Sequence, residues 1–118
     1  MRAKDGVGSY GERVAARLLV DSGMTLLDRN WRCSAGELDL VARDGDTLVV
    51  CEVKTRSSER FGSPLEAITR TKAARLRRLA VLWLAAHDVH PVEIRFDVVG
   101  VVRSARGAAT VQHVRGVL

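Results

Sequence analysis

Gly36-Glu37-Leu38-Asp39-Leu40-Val41-Ala42-Arg43-Asp44-Gly45-Asp46-Thr47-Leu48-Val49-Val50-Cys51-Glu52-Val53-Lys54 reads as two strands about one turn. Apolar and β-branched residues alternate with polar ones on both sides of Asp44-Gly45, a dipeptide that favours tight hairpins. The pattern predicts strands over 37–43 and 47–54. With Asp44-Gly45 as the loop, Arg43 pairs with Asp46, Glu37 faces Glu52 and Asp39 faces Val50. One face then carries Glu37, Asp39, Val41, Leu48, Val50, Glu52 and Lys54. The other carries Leu38, Leu40, Val49, Cys51 and Val53 and is wholly apolar. A slip of one residue would put the carboxylates on different faces, so the apolar pattern argues for this register or one of the same parity.

Glu37, Asp39 and Glu52 gathered at one end of a half-buried hairpin repel one another. They need a counter-charge, a raised pKa or a cation. Lys54 shares the face of Glu52 but cannot neutralise three carboxylates. An all-oxygen ligand set suits a hard ion such as Mg²⁺ or Mn²⁺. Such an ion, with an ammonium beside it, is equipped for phosphodiester hydrolysis. A solvated strand end and an internal salt-bridge network are the two plainer readings of the same charges.

Outward from the hairpin, the chain reads αβββαββ. A helix is expected over 9–22, with Ser9 as N-cap, Glu12 three residues on and Gly23 as the stop. Its buried face holds Val14, Ala15, Leu18, Leu19 and Ser22. Glu12 is either a capping residue or a fourth site carboxylate. A strand over 25–32 precedes the hairpin. Ser63-Pro64 with Glu66 signals a second helix near residue 64, with a break allowed at Thr69 or Thr71. Leu65, Ile68, Leu76, Leu79 and Trp83 form its apolar stripe. Lys72 falls inside that stripe, where it either snorkels or reaches a site phosphate. Strands over 92–102, with a break allowed at Gly100, and 110–114 close the chain. This order predicts an α/β fold with a mixed sheet covered by helices. Residues 1–8, 56–62 and 104–109 read as mobile connections.

At 118 residues the chain has the length of one domain, spanning 1–118. It is 47% hydrophobic and 28% charged, which excludes a wholly disordered chain. No apolar run approaches a bilayer span, and the first residues lack a signal-peptide pattern, so a cytoplasmic protein without a membrane partner is expected. Cys33 and Cys51 have no metal-ligand or redox spacing and are expected to be reduced. The net charge of +5 favours a polyanionic partner. Aromatics at 4% do not support a base-stacking platform. Lys4, Lys54 and Lys72 are the only lysines, so arginine dominates the excess. Arg70, Arg75, Arg77 and Arg78 of the second helix read individually as a solvated helix face; together with Arg56 and Arg60 the basic excess predicts salt-dependent, largely sequence-independent DNA binding. His87, His90 and His113 have no ligand or triad spacing, and Trp31 and Trp83 read as core.

Gly36-Glu37-Leu38-Asp39-Leu40-Val41 and Cys51-Glu52-Val53-Lys54-Thr55-Arg56 resemble the YraN-like family of uncharacterised bacterial proteins. Gly11-Glu12, Arg29-Asn30-Trp31-Arg32 and Arg95-Phe96-Asp97-Val98-Val99 match as well, so the resemblance spans nearly the whole chain. That family is similar to the restriction-endonuclease-like PD-(D/E)xK nucleases, archaeal Holliday junction resolvases above all. The resemblance implies a central mixed sheet with an αβββαβ core. It implies Asp39, Glu52 and Lys54 as catalytic residues. Asp39, Glu52, the Val53 carbonyl and Glu12 are the implied ligands of Mg²⁺ or Mn²⁺. Leu38 stands where the motif name has proline. The implied activity is a metal-dependent DNA endonuclease or junction-resolving phosphodiesterase. The alternative is a non-catalytic nucleic-acid- or protein-binding module on the same fold. The expected partner is DNA, including branched or junction DNA, and a homodimer is a compatible assembly.

Overall fold

The computed structural model describes residues 7–56, 68–103 and 107–118. Helix α1 (Val7–Asp21) is followed by strands β1 (Thr25–Cys33), β2 (Gly36–Asp44) and β3 (Thr47–Arg56). Helix α2 (Arg70–Ala86) leads into β4 (Glu93–Val102) and β5 (Thr110–Val114). The expected αβββαββ order is therefore present. The Ser63-Pro64-Glu66 signal, Leu65 and Arg60 lie outside the described residues, as does most of the three stretches read as mobile. Within them, α2 starts at Arg70, and Thr69 is its N-cap, its hydroxyl accepting the Lys72 N–H.

The five strands form one sheet in the order β1-β2-β3-β4-β5. Only β3 and β4 are parallel, and α2 lies between them in sequence, as a parallel connection requires. The β2–β3 hairpin closes one residue later than expected, with Asp44 opposite Thr47 and Gly45-Asp46 as the loop. Gly45 takes φ +62 at the first loop position, a conformation that glycine adopts without a Cβ clash. The pairing is displaced by an even number of residues, so the division of faces survives. Gly100 does not break β4, which pairs continuously with β3 from Thr47–Glu93 to Arg56–Val102.

Helices cover both faces of the sheet. Ala15, Ala16 and Leu19 of α1 pack with Leu40, Ala42, Val49, Cys51, Val99 and Val101. Leu76, Leu79, Ala80 and Trp83 of α2 pack with Leu38, Val41, Leu48 and Val50. Full burial of Leu76 and Leu79 is worth roughly 1.5–3 kcal/mol each. β3 is covered on both sides, which is why Leu48-Val49-Val50-Cys51 is uninterruptedly apolar. Leu38 lies on the α2 face and not, as expected, with Leu40. The strand changes sides at Asp39.

Helix α1 begins at Val7, so Ser9 sits within it and accepts from Arg13 Nη1 at 3.0 Å instead of capping. Glu12 and Gly11 turn toward the sheet, whereas Ser22 is exposed. The stop at Gly23 is as expected. Gly23 has φ +96, its N–H donates to the Val20 carbonyl, and the Met24 N–H donates to the Leu19 carbonyl. That pair of bonds satisfies two terminal carbonyls. Both cysteines are free thiols. No described helix is long and apolar enough to cross a membrane.

Candidate active site

The site is built where the β2–β3 ladder stops. Regular pairing ends at Leu40–Cys51. Beyond it, the Val53 N–H donates to Asp39 Oδ2 at 2.8 Å. A side chain of β2 thus stands in for a main-chain carbonyl, and Asp39 is only 6% exposed. Across β2, the neighbouring pairs Arg29–Leu40 and Trp31–Leu38 bracket Asn30 opposite Asp39. Asn30 is left-handed at φ +53, a conformation that asparagine tolerates better than most residues. Its Oδ1 is buried and has no hydrogen-bond donor among the described residues. The irregularity therefore crosses both strands at one level, which is how β2 changes sides without losing register to β1.

Glu52 precedes Val53 and points to the α2 face. Its Oε2 lies 3.3 Å from Lys72 Nζ and 3.9 Å from Lys54 Nζ. The Glu52 side chain is 13% exposed, so this is a largely desolvated anion between two ammoniums. Lys72 does turn inward from α2, while Arg70, Arg75, Arg77 and Arg78 are exposed. Hydrogen bonding with Lys72, then burial and the charge of Lys72, lower the Lys54 pKa to about 8, against the pull of Glu52. Burial, reinforced by Asp97 and Glu52, pushes the neighbouring Cys51 thiol up, so it carries no thiolate reactivity at neutral pH.

Gly11 decides how closely α1 approaches. A Cβ there would collide with the Thr55 hydroxyl and come within 2.9 Å of Thr55 Cβ. Glu12, the next residue, is consequently buried on the sheet side at 6% exposure, which rejects the capping reading. Arg56 ends β3, and its carbonyl accepts the Arg103 N–H at 2.8 Å.

The expected gathering of Glu37, Asp39 and Glu52 does not form. Glu37 lies opposite Arg32 on β1 and pairs with it at 3.8 Å. Among the described residues, no three His, Cys, Asp or Glu side chains converge into a metal-holding group. The donor set around Val53 is nevertheless all oxygen, and the orphaned Asn30 Oδ1 lacks a donor such as a bound water. These residues fit a hard ion held by one or two carboxylates and completed by water and phosphate, not a preformed protein cage.

A third buried carboxylate, outside the expected site, is a centre of interactions. Asp97 on β4 accepts from Arg95 Nε at 2.9 Å, Arg95 Nη2 at 3.0 Å, His113 Nε2 at 2.8 Å and the Gly116 N–H at 3.1 Å. The Arg-x-Asp spacing on a strand, which puts both side chains on one face, was the signal for part of it. Its role is to anchor the C-terminal segment, where the Val117 N–H also donates to the Phe96 carbonyl.

Residues 11–101 match the model of the uncharacterised protein family UPF0102. The chain is 65% identical over 117 residues to the UPF0102 protein of Beutenbergia cavernae, covering 99% of each. It is 65% identical over 118 residues to that of Kineococcus radiotolerans, covering 99% of this chain and 97% of the relative. The UPF0102 protein of a Nocardioides species is 61% identical over 114 residues, covering 97% and 92%.

Proposed function

The chain belongs to UPF0102, the YraN-like family, and from that premise we propose that it is a divalent-metal-dependent DNA endonuclease or junction-resolving phosphodiesterase on a restriction-endonuclease-like fold. The observation that carries the reading is the charge arrangement about one peptide. Asp39 accepts the Val53 N–H, and Glu52, the residue before it, meets Lys54 and Lys72. Asp39 and Glu52 would hold Mg²⁺ or Mn²⁺, with the Val53 carbonyl as a further oxygen donor; Glu12, on the helix that covers the other face, does not converge with them into a three-carboxylate group. When bound, such an ion supplies Lewis acidity toward a phosphate oxygen and lowers the pKa of a water.

The chain's own residues supply the rest. The Asp39–Val53 bond holds the carboxylate in one orientation before substrate arrives, so little is lost in ordering it. Lys54, with its pKa lowered to about 8, holds or releases a proton near physiological pH, as a group that orients an attacking water must. Lys72 presents a second ammonium to the phosphate, and Arg56 and the outer arginines of α2 supply backbone contacts that carry no sequence information.

One observation favours the non-catalytic binding module. Glu52 is already neutralised from within by two lysines. The test is a gel assay of duplex, nicked, flap and four-way DNA with Mg²⁺ and Mn²⁺, beside binding in a chelator. Cleavage is expected from the wild type and should vanish in Lys54→Ala and Asp39→Ala, while binding falls much less. A highly purified wild type that cuts no substrate establishes the binding module instead. Cleavage undiminished in both variants refutes the residue assignment.

A further inference from the structure

We propose that Lys72 is the internal counter-ion of this site. Its ammonium holds Glu52 Oε2 in the free protein and passes to a phosphate oxygen when a divalent cation takes that carboxylate. Cation and phosphodiester then bind cooperatively. The inference rests on the reading of Glu52 as a cation ligand and adds to it an order of events.

Three observations support it. Lys72 and Lys54 both address the same oxygen, Glu52 Oε2, at 3.3 and 3.9 Å. A cation bound to that oxygen would sit against an ammonium already at hydrogen-bonding distance, so the two compete. Lys72 also comes from α2, whereas Glu52 and Lys54 share β3. Its backbone is held by the Thr69 cap, with the Lys72 N–H donating to Thr69 Oγ1 at 3.1 Å. The side chain, 24% exposed on a flexible stem, can therefore turn without moving the helix. Finally, Glu52 with two ammoniums carries one net positive charge. Adding a dication makes that excess larger unless an anion enters with it. With Asp39 counted the cluster is neutral, a dication alone takes it to +2, and one phosphodiester charge lowers that to +1, so the anion offsets half of the excess that the cation creates.

Linkage makes the test reciprocal. A factor by which DNA strengthens cation binding must equal the factor by which the cation strengthens DNA binding. Mn²⁺ binding to the full chain is measured by electron paramagnetic resonance, with and without a four-way DNA carrying hydrolysis-resistant phosphorothioate linkages. DNA binding is measured by fluorescence anisotropy with and without Mn²⁺. In the wild type each ligand is expected to tighten the other about tenfold. Lys72→Met should bind Mn²⁺ about fivefold more tightly without DNA and should lose most of the coupling. Lys72→Arg, which keeps the charge, should retain it. Circular dichroism melts confirm that both variants fold. Equal Mn²⁺ affinity and equal coupling in wild type and Lys72→Met overturn this inference while leaving the metal site standing. No Mn²⁺ binding by either protein in any condition overturns the metal site itself, and the inference with it.

Discussion

Replacing Asp97 by alanine tests the energetic argument about the C-terminal anchor without touching the candidate site. Its carboxylate is fully buried and receives two hydrogen bonds from Arg95, one from His113 and one from the Gly116 N–H. Removing one partner of a buried ion pair costs about 3–5 kcal/mol, because the other charge is left behind. Arg95 is a quarter exposed and also donates to Asp44 at 3.0 Å, so the lower end, about 3 kcal/mol, applies here. For a chain of this length the unfolding entropy near 60 °C is about 0.25 kcal/mol per degree, which converts the loss to a fall in Tm of roughly 12 °C. Burial alone would raise the Asp97 pKa. The bonds from Arg95, His113 and Gly116 outweigh it and hold the group below the usual carboxylate range. A depressed folded pKa stabilises above the unfolded value, about 3.9, and that contribution is lost as pH falls through the folded value. Urea unfolding of wild type and Asp97→Ala should therefore differ by a constant amount from about pH 5 to 8, with the gap narrowing below about pH 3.9 and closing as pH falls through the depressed folded value. Hydrogen exchange at the Gly116 and Val117 amides should accelerate in the variant. A loss under about 1 kcal/mol, or a gap that does not close in acid, refutes the reasoning.

Two further predictions concern the site's surroundings. Gly11→Ala should cost about 1–3 kcal/mol in urea unfolding by pushing α1 off β3, since Thr55 Cβ as well as its hydroxyl is in the way; unchanged stability would show that the helix can shift freely. Lys54, lowered to about 8 from 10.5, opposes folding wherever its native form must hold a proton the unfolded chain holds more readily. That cost is complete below about pH 8 and gone by about pH 10.5, so Lys54→Met should be more stable at pH 7 by about 1–2 kcal/mol after solvent screening, with the gain shrinking as pH rises. The raised Cys51 thiol works in the opposite direction at alkaline pH, but it does so in both proteins and cancels in the comparison.

Periodicity and turn chemistry carried most of the architecture. Leu76, Leu79 and Trp83 announced the buried stripe of α2, and an inward Lys72 was legible as an anomaly within it. The Asp44-Gly45 signal located the hairpin but not the residue that closes it, because either aspartate flanking Gly45 suits a turn. The error left the faces intact, since the true register differs by an even step. Leu38 was misplaced for another reason. The side change at Asp39 depends on Asn30 in a different strand and on the Val53 N–H in a third, and no local pattern encodes that. Charge repulsion suggested that Glu37 belongs to the carboxylate group, yet Arg32, its cross-strand neighbour on β1, draws it into an ion pair. Beyond the Arg95-x-Asp97 spacing the Asp97 anchor has no local signal, because His113 and Gly116 arrive from a later strand and the tail beyond it.

The ladder bond made by Asp39 gives that residue a second obligation. On the proposed nuclease reading, a relative without cleavage would be free to lose Lys54 or Glu52, but an aliphatic residue at position 39 would leave the Val53 amide unsatisfied inside a sheet. Selection for folding alone therefore preserves this aspartate. In surveys of relatives, its retention is a poor marker of the proposed activity, which the glutamate and the lysines would report more directly.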